Sequence, residues 1–279
     1  MTDKYAVVGN PIAHSKSPLI HRLFAEQTQQ DISYEAILID NEEVTFQWAI
    51  SDLRQRGYRG LNVTVPFKLD AFEMADTLSS RAQSAHAVNT LVFQADGSIF
   101  GDNTDGIGLV NDIQINGQHP FKGKSVLILG AGGAVQGIME PLLEQNPKSV
   151  HIANRTAKRA EVLGQRFTTE IPISGSGWDE IPLDTGYDII INGTSASLDG
   201  KLPPVSPQCL KTDSLVYDMM YSQKPTVFLQ WAKEHQPDCT IMDGLGMLVG
   251  QAAESFYIWR GIRPQTQNVI DEVRQRMNQ

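Results

Sequence analysis

The chain has 279 residues, 41% of them hydrophobic, which is ample for more than one packed core, and an α/β pattern at this length favours two units. A formal net charge of -9 argues against general affinity for nucleic-acid phosphates, and no apolar run approaches the roughly 18 residues needed to cross a bilayer. Two cysteines, Cys209 and Cys239, are too few for a disulfide framework, and the first residues lack a basic segment followed by a long apolar one, so reduced thiols and a cytoplasmic location are expected.

Residues 5–9 read as a strand, 17–29 as a helix with Pro18 near its start, and 34–38 as the next strand, a β-α-β opening. Residues 42–56 follow as a helix stopped by Gly57, and 60–65 as a buried strand ended by Pro66, so a largely parallel sheet is expected. Residues 89–93 and 98–101 flank Ala95-Asp96-Gly97, where Asp-Gly marks a hairpin turn. A helix over 104–115 leads to a second unit, which opens with the continuous apolar run 125–129, a buried parallel strand. Strands at 149–153, 187–191 and 215–218 then alternate with helices near 135–144, 157–167 and 225–235, the order of a doubly wound nucleotide-binding fold. The last helices, 247–260 and 266–277, have no strand after them and are expected to pack on the first unit. The expected division is 1–103 with 240–279, and 104–239.

Two motifs carry acid–base chemistry. Asn62-Val63-Thr64-Val65-Pro66-Phe67-Lys68 ends a β-branched run with polar groups and a single ammonium. Gly101-Asp102-Asn103-Thr104-Asp105-Gly106 places carboxylates at a turn before a helix, so Lys68 and Asp105 could meet across a cleft and pass a proton to or from a substrate hydroxyl. The alternative is a surface ion pair, which contributes little.

The loop Gly130-Ala131-Gly132-Gly133-Ala134 follows a strand and opens a helix, the context in which backbone N–H groups and the helix N-terminus receive a pyrophosphate. It departs from the strict glycine spacing at Val135, and the alternative is a tight turn without a ligand. At the tip of the following strand stands Asn154-Arg155-Thr156-Ala157-Lys158-Arg159, with no carboxylate to accept a ribose 2′-hydroxyl. Arg155 and its neighbours suit a 2′-phosphate instead, which favours NADP, beside the plainer reading of a helix capped by Asn154 or Thr156. Ser15 and Ser17, in Gly9-Asn10-Pro11-Ile12-Ala13-His14-Ser15-Lys16-Ser17-Pro18, can hold a carboxylate at a helix start, and Ser17 alone reads as a helix cap. His14 and His21 have no matching ligand pattern, so no metal is expected.

These motifs occur in one order along nearly the whole chain, which resembles the shikimate dehydrogenase family, the NADP-dependent shikimate/quinate dehydrogenases. The resemblance implies an N-terminal α/β substrate domain, a doubly wound Rossmann-type NADP domain, and C-terminal helices on the substrate domain. It implies reversible reduction of 3-dehydroshikimate to shikimate with NADPH, on the route to chorismate and aromatic amino acids, by a monomer or homodimer with no nucleic-acid or membrane partner. Lys68 and Asp105 would be catalytic, with Ser15 and Ser17 on the substrate carboxylate, Thr64 and Asn89 on ring hydroxyls, and Tyr221 and Gln251 as further substrate positions, though both can also be core residues. Gly130, Ala131, Gly132, Gly133, Ala134, Asn154, Arg155, Thr156, Arg159, Thr194, Met219, Gly244 and Met247 would serve the cofactor. The chain departs from the family's pattern at His86, where glycine is usual, and at Gln136, where many relatives carry arginine. Two rivals remain: a relative acting on quinate or a folate-linked substrate, the latter disfavoured by the serine pair, and a silent sensor of shikimate or dinucleotide, disfavoured by intact Lys68 and Asp105.

Overall fold

The computed structural model describes residues 2–40 and 42–279, and these group into two compact units. One takes the chain up to Gly108 together with Leu248–Arg276, and the other takes Leu109–Met247 with Met277–Gln279.

The first unit contains β1 (Asp3–Gly9), α1 (Ser17–Thr28), β2 (Ile32–Leu38), α2 (Phe46–Gln55), β3 (Tyr58–Val63), α3 (Lys68–Met74), β4 (Thr77–Leu78), α4 (Ser80–Ala85), β5 (Thr90–Phe93) and β6 (Ile99–Asp102). Its sheet runs β2-β1-β3-β5-β6-β4, with β1 parallel to β2 and β3, and β5 antiparallel to β3 and β6. The expected hairpin joins β5 to β6, and Gly97 takes a φ of +96° there, the left-handed conformation that such a turn requires. Ala6, Val8, Leu61, Val63 and Leu91 point to one face, where they pack with Phe46, Ile50 and Leu53 of α2. The other face holds His21, Phe24, Tyr34, Phe256 and Trp259, ring against ring. α2 begins at Phe46 rather than at 42 because the Thr45 hydroxyl accepts the Trp48 N–H and fixes the first turn.

α5 (Asp105–Asn111) leads into one π-helical segment, Asp112–Asn116, which the expected regular helix over 104–115 did not anticipate. The second unit then runs β7 (Ser125–Leu129), α6 (Gly133–Leu143), β8 (Ser149–Ala153), α7 (Ala157–Gln165), β9 (Ile173–Ser176), β10 (Tyr187–Asn192), β11 (Leu210–Asp218), α8 (Val227–His235) and β12 (Thr240–Asp243). Every pairing is parallel, and the order β12-β11-β10-β7-β8-β9 reverses direction between β7 and β10, the switch point where such sheets bind ligands. Alternate residues feed two cores, with Val126 and Ile128 on one side and Leu127 and Leu129 on the other. α9 (Leu245–Arg260) and α10 (Gln267–Met277) complete the chain.

The short elements α3, α4, β4, β9 and β12 were not expected. β9 reads Ile-Ser-Gly-Ser, too polar for an apolar run, and it stays in register because Gly175 lets the strand press against the Ala160 backbone of α7.

Candidate active site

Lys68 opens α3 and Asp105 opens α5, where the helix N-terminus favours a carboxylate. The Lys68 Nζ donates to Asp105 Oδ2 at 2.6 Å within the first unit, and the two side chains are 31% and 16% exposed. The other oxygen of Asp105 accepts from Asn89 Nδ2 at 2.8 Å, so neither oxygen is left without a partner. Asn89 also donates to Thr104 Oγ1 at 3.0 Å and to Gln251 Oε1 at 3.3 Å, while its own Oδ1 accepts the Thr104 N–H and the Thr90 hydroxyl. Four of the residues named from sequence, Lys68, Asp105, Asn89 and Gln251, therefore form one connected network, although Gln251 is separated from Asn89 by 162 positions.

Thr64 follows the end of β3, and its methyl group packs so closely on Gly9, at the end of β1, that a Cβ there would overlap it. This holds the strand end carrying Thr64 against the start of the segment that leads to Ser15. Ser15 Oγ accepts the Ser17 N–H at 3.3 Å. Ser17 does not cap α1: the cap position is Lys16 and makes no side-chain hydrogen bond, so the cap alternative fails for a positional reason. Ser17 is buried and its hydroxyl faces Tyr34, whose own hydroxyl donates to Asn62 Oδ1 at 2.7 Å. His21 is fully buried in the aromatic face, and burial holds its pKa down to about 3 against a weaker opposing contact with Asn62, so it is neutral at ordinary pH. Among the described residues no three His, Cys, Asp or Glu side chains are grouped as a metal site.

Sequence reasoning missed the support beneath this network. Asp102, the last residue of β6 and quoted only as a possible carboxylate, is buried and clamped by Arg81 through two bonds of 2.8 and 2.7 Å. The same guanidinium reaches Glu254 at 3.1 Å, and Arg263 closes on Glu254 at 2.6 Å. Next in the chain, Asn103 anchors Asp105 by accepting its N–H at 3.1 Å. Asp102, Asn103 and Thr104 had a sequence signal, since they lie inside the Gly101–Gly106 motif; Arg81 and Glu254 are too distant to be linked by spacing.

In the second unit the strand ends gather the expected cofactor residues. Gly130 has a φ of +107°, and a Cβ there would lie 3.2 Å from Gly193 and 3.3 Å from Thr194, so the loops after β7 and β10 touch at the switch point. Met219 donates its N–H to Asn192 O at 2.9 Å, and Gly244 packs so tightly on the Met219 carbonyl that no side chain fits. Met247 gives its backbone N–H to Asp112, which also accepts from Tyr217 Oη and Asn116 Nδ2, both at 2.7 Å. Burial raises the Asp112 pKa and those hydrogen bonds only partly oppose it. Tyr221 lies in this unit, half-buried, with its hydroxyl pKa raised by burial.

A concave pocket of about 440 Å³ opens over the glycine loop, lined by Ala131, Gly132, Gly133, Gln136, Lys158, Arg159, Val162 and Arg166. A Cβ on Gly132 or Gly133 would meet nothing within 4 Å, so open space lies where a ligand backbone could approach. The first N–H groups of α6 have no partner within the helix. The donors, the space and the cations fit a phosphoester. Arg159 lines this pocket, whereas Arg155, Asn154 and Thr156 are not part of its lining; Asn154 Nδ2 donates to Thr156 O at 3.0 Å, and Thr156 forms no side-chain cap.

Three stretches of the chain match known families: residues 7–91 the shikimate dehydrogenase substrate binding domain, 114–199 shikimate / quinate 5-dehydrogenase, and 244–274 the shikimate 5'-dehydrogenase C-terminal domain. The chain is 73% identical to the shikimate dehydrogenase (NADP(+)) of Hydrogenovibrio crunogenus, over 98% of each chain. Among solved structures it is similar to an Ael1 enzyme from Pseudomonas putida, with a TM-score of 0.92 and 43% identity over 97% of this chain and 98% of that one. It is also similar to the shikimate 5-dehydrogenase of Thermus thermophilus in complex with NADP(H) and shikimate, with a TM-score of 0.84 and 31% identity over 99% and 100% of the two chains.

Proposed function

Since the chain belongs to the shikimate dehydrogenase family, we propose that it catalyses the reversible NADPH-dependent reduction of 3-dehydroshikimate to shikimate. In this reading the unit carrying Lys68 takes the substrate and the unit carrying the glycine loop takes the cofactor. Bound NADPH supplies a hydride. As the ketone becomes an alcohol, negative charge develops on its oxygen, and the Lys68 ammonium stabilises that charge and delivers the proton. Asp105 holds Lys68 through the 2.6 Å bond, and Asn89 holds Asp105 through the other oxygen, so the ammonium is aimed before substrate arrives. The amide of Asn89 and the side chains of Gln251 and Thr64 offer neutral donors and acceptors to ring hydroxyls, and the hydroxyls of Ser15 and Ser17 take the substrate carboxylate. Arg155 and Arg159 hold the ribose 2′-phosphate. A cytoplasmic setting agrees with two free, buried cysteines.

The observation that carries the reading is the half-buried Lys68–Asp105 pair, whose partners are fixed by a network of neutral amides and hydroxyls. Incubation with shikimate and NADP+ should produce the near-ultraviolet absorbance of reduced nicotinamide, with quinate and NAD+ as comparison substrates. No reduction of either cofactor by shikimate would overturn it.

A further inference from the structure

The pocket over the glycine loop contains a cation that neither the motifs nor the family likeness assigns. Arg159 and Val162 of α7 and Arg166, which follows it with helical backbone angles, stand at spacings of three and four residues, hence on one face, and all three line the pocket opposite the first turn of α6. Arg166 follows the last turn of α7 and reaches across 30 positions to Gln136, whose Oε1 accepts from its Nη1 at 3.2 Å. That contact orients the guanidinium without neutralising it, because the partner is a neutral amide and the remaining N–H groups stay available. No carboxylate lines the pocket. Lys158, by contrast, is engaged with Glu161 at 3.1 Å. A chain of net charge -9 thus keeps Arg159 and Arg166 without an acidic partner among the described residues, some two helical turns apart on one wall.

We propose that Arg166 is a specificity-determining residue for the cofactor: a guanidinium held by Gln136 that binds the ribose 2′-phosphate together with Arg159. The proposal rests on the NADP reading above. It makes Gln136 a positioning residue, acting through Arg166, and it accounts for a neutral residue at the mouth of an anion pocket, since an acidic one would cancel the charge and a basic one would repel it.

The test is a calorimetric titration of the full chain with 2′,5′-ADP and with 5′-AMP, which differ only by the 2′-phosphate. Arg166→Ala should weaken 2′,5′-ADP about 10-fold, equivalent to about 1.4 kcal/mol, and leave 5′-AMP nearly unchanged. Gln136→Arg placed in the Arg166→Ala background should recover most of the loss, because it returns a guanidinium to the same pocket from the facing helix. Wild-type preference for 2′,5′-ADP that survives Arg166→Ala would overturn the role of Arg166 and leave the cofactor reading intact. No wild-type preference for 2′,5′-ADP would overturn both.

Discussion

The surroundings of Lys68 and the rim of the glycine loop handle charge in opposite ways. Around Lys68 every charged or amide group has a partner: Asp105 is bonded through both oxygens, Asn89 through both ends of its amide, and Asp102 lies under a bidentate arginine. Arg159 and Arg166 at the rim, and Arg155 just after the end of β8, have no acidic partner among the described residues, and all three are exposed. The difference follows from the work proposed for each. A proton donor must be aimed at one atom, which calls for fixed geometry and partners that cost nothing to reorganise. A phosphate brings its own charge, and a guanidinium already spent on a carboxylate could not meet it without losing that bond.

The largest effect should come from breaking the fixed region. Asp105→Asn should lower kcat by at least ~10²-fold, and combining it with Lys68→Ala should add far less than a second loss of that size, because the two act as one unit. Steady-state kinetics on the two single variants and the double variant measure this; multiplicative losses would separate the residues. Next is Arg81→Ala, which strips the buried Asp102 of its guanidinium and leaves the buried Glu254 to Arg263 alone. Removal of one partner from such a cluster costs roughly 3–5 kcal/mol, so the urea midpoint should fall sharply while NADPH binding to folded protein persists.

How far the sequence announced each region has a physical explanation. β7 and β8 match their expected bounds, 125–129 and 149–153, because a strand buried on both faces writes a continuous apolar run between polar ends. Lys68 and Asp105 were legible because each closes a motif at a strand-to-helix junction, and Asn89 through the family resemblance. The Arg81–Asp102–Glu254 cluster was not, since its members are joined only by the fold and each looks like an ordinary surface charge in sequence. Arg166 was silent for the same reason: it lies past the end of a helix, and only folding brings it to Gln136. The π-helical segment after Asn111 left no periodicity signal either; it accompanies the buried Asp112, against which Gly246 packs so closely that no Cβ would fit.

Two smaller effects sharpen the contrast within the second unit. Burial alone would raise the Asp188 pKa, but hydrogen bonds from Lys211 and from the Ser125 N–H and hydroxyl overcome it and hold it down to about 2. A folded pKa below the ordinary 3.8 means stabilisation that is full above that value and lost as pH falls through about 2. Asp188→Asn should therefore lower stability at neutral pH by about 2 kcal/mol and flatten its acid dependence, as read from urea unfolding across pH. Lys158→Ala should change the ratio of NADP to NAD affinity by no more than about two-fold, since its ammonium is engaged with Glu161 on the surface. A loss as large as that of Arg159→Ala would show that a paired cation serves the phosphate as well as an unpaired one.

The division between the two regions is tested most directly by measuring kcat and the dissociation constant of NADPH for Lys68→Ala and Arg155→Ala side by side. Lys68→Ala should lose at least ~10² in kcat and bind NADPH as the parent chain does, whereas Arg155→Ala should weaken NADPH about 10-fold and retain most of kcat at saturation. Turnover of shikimate by Lys68→Ala within a few-fold of the parent chain would contradict the account.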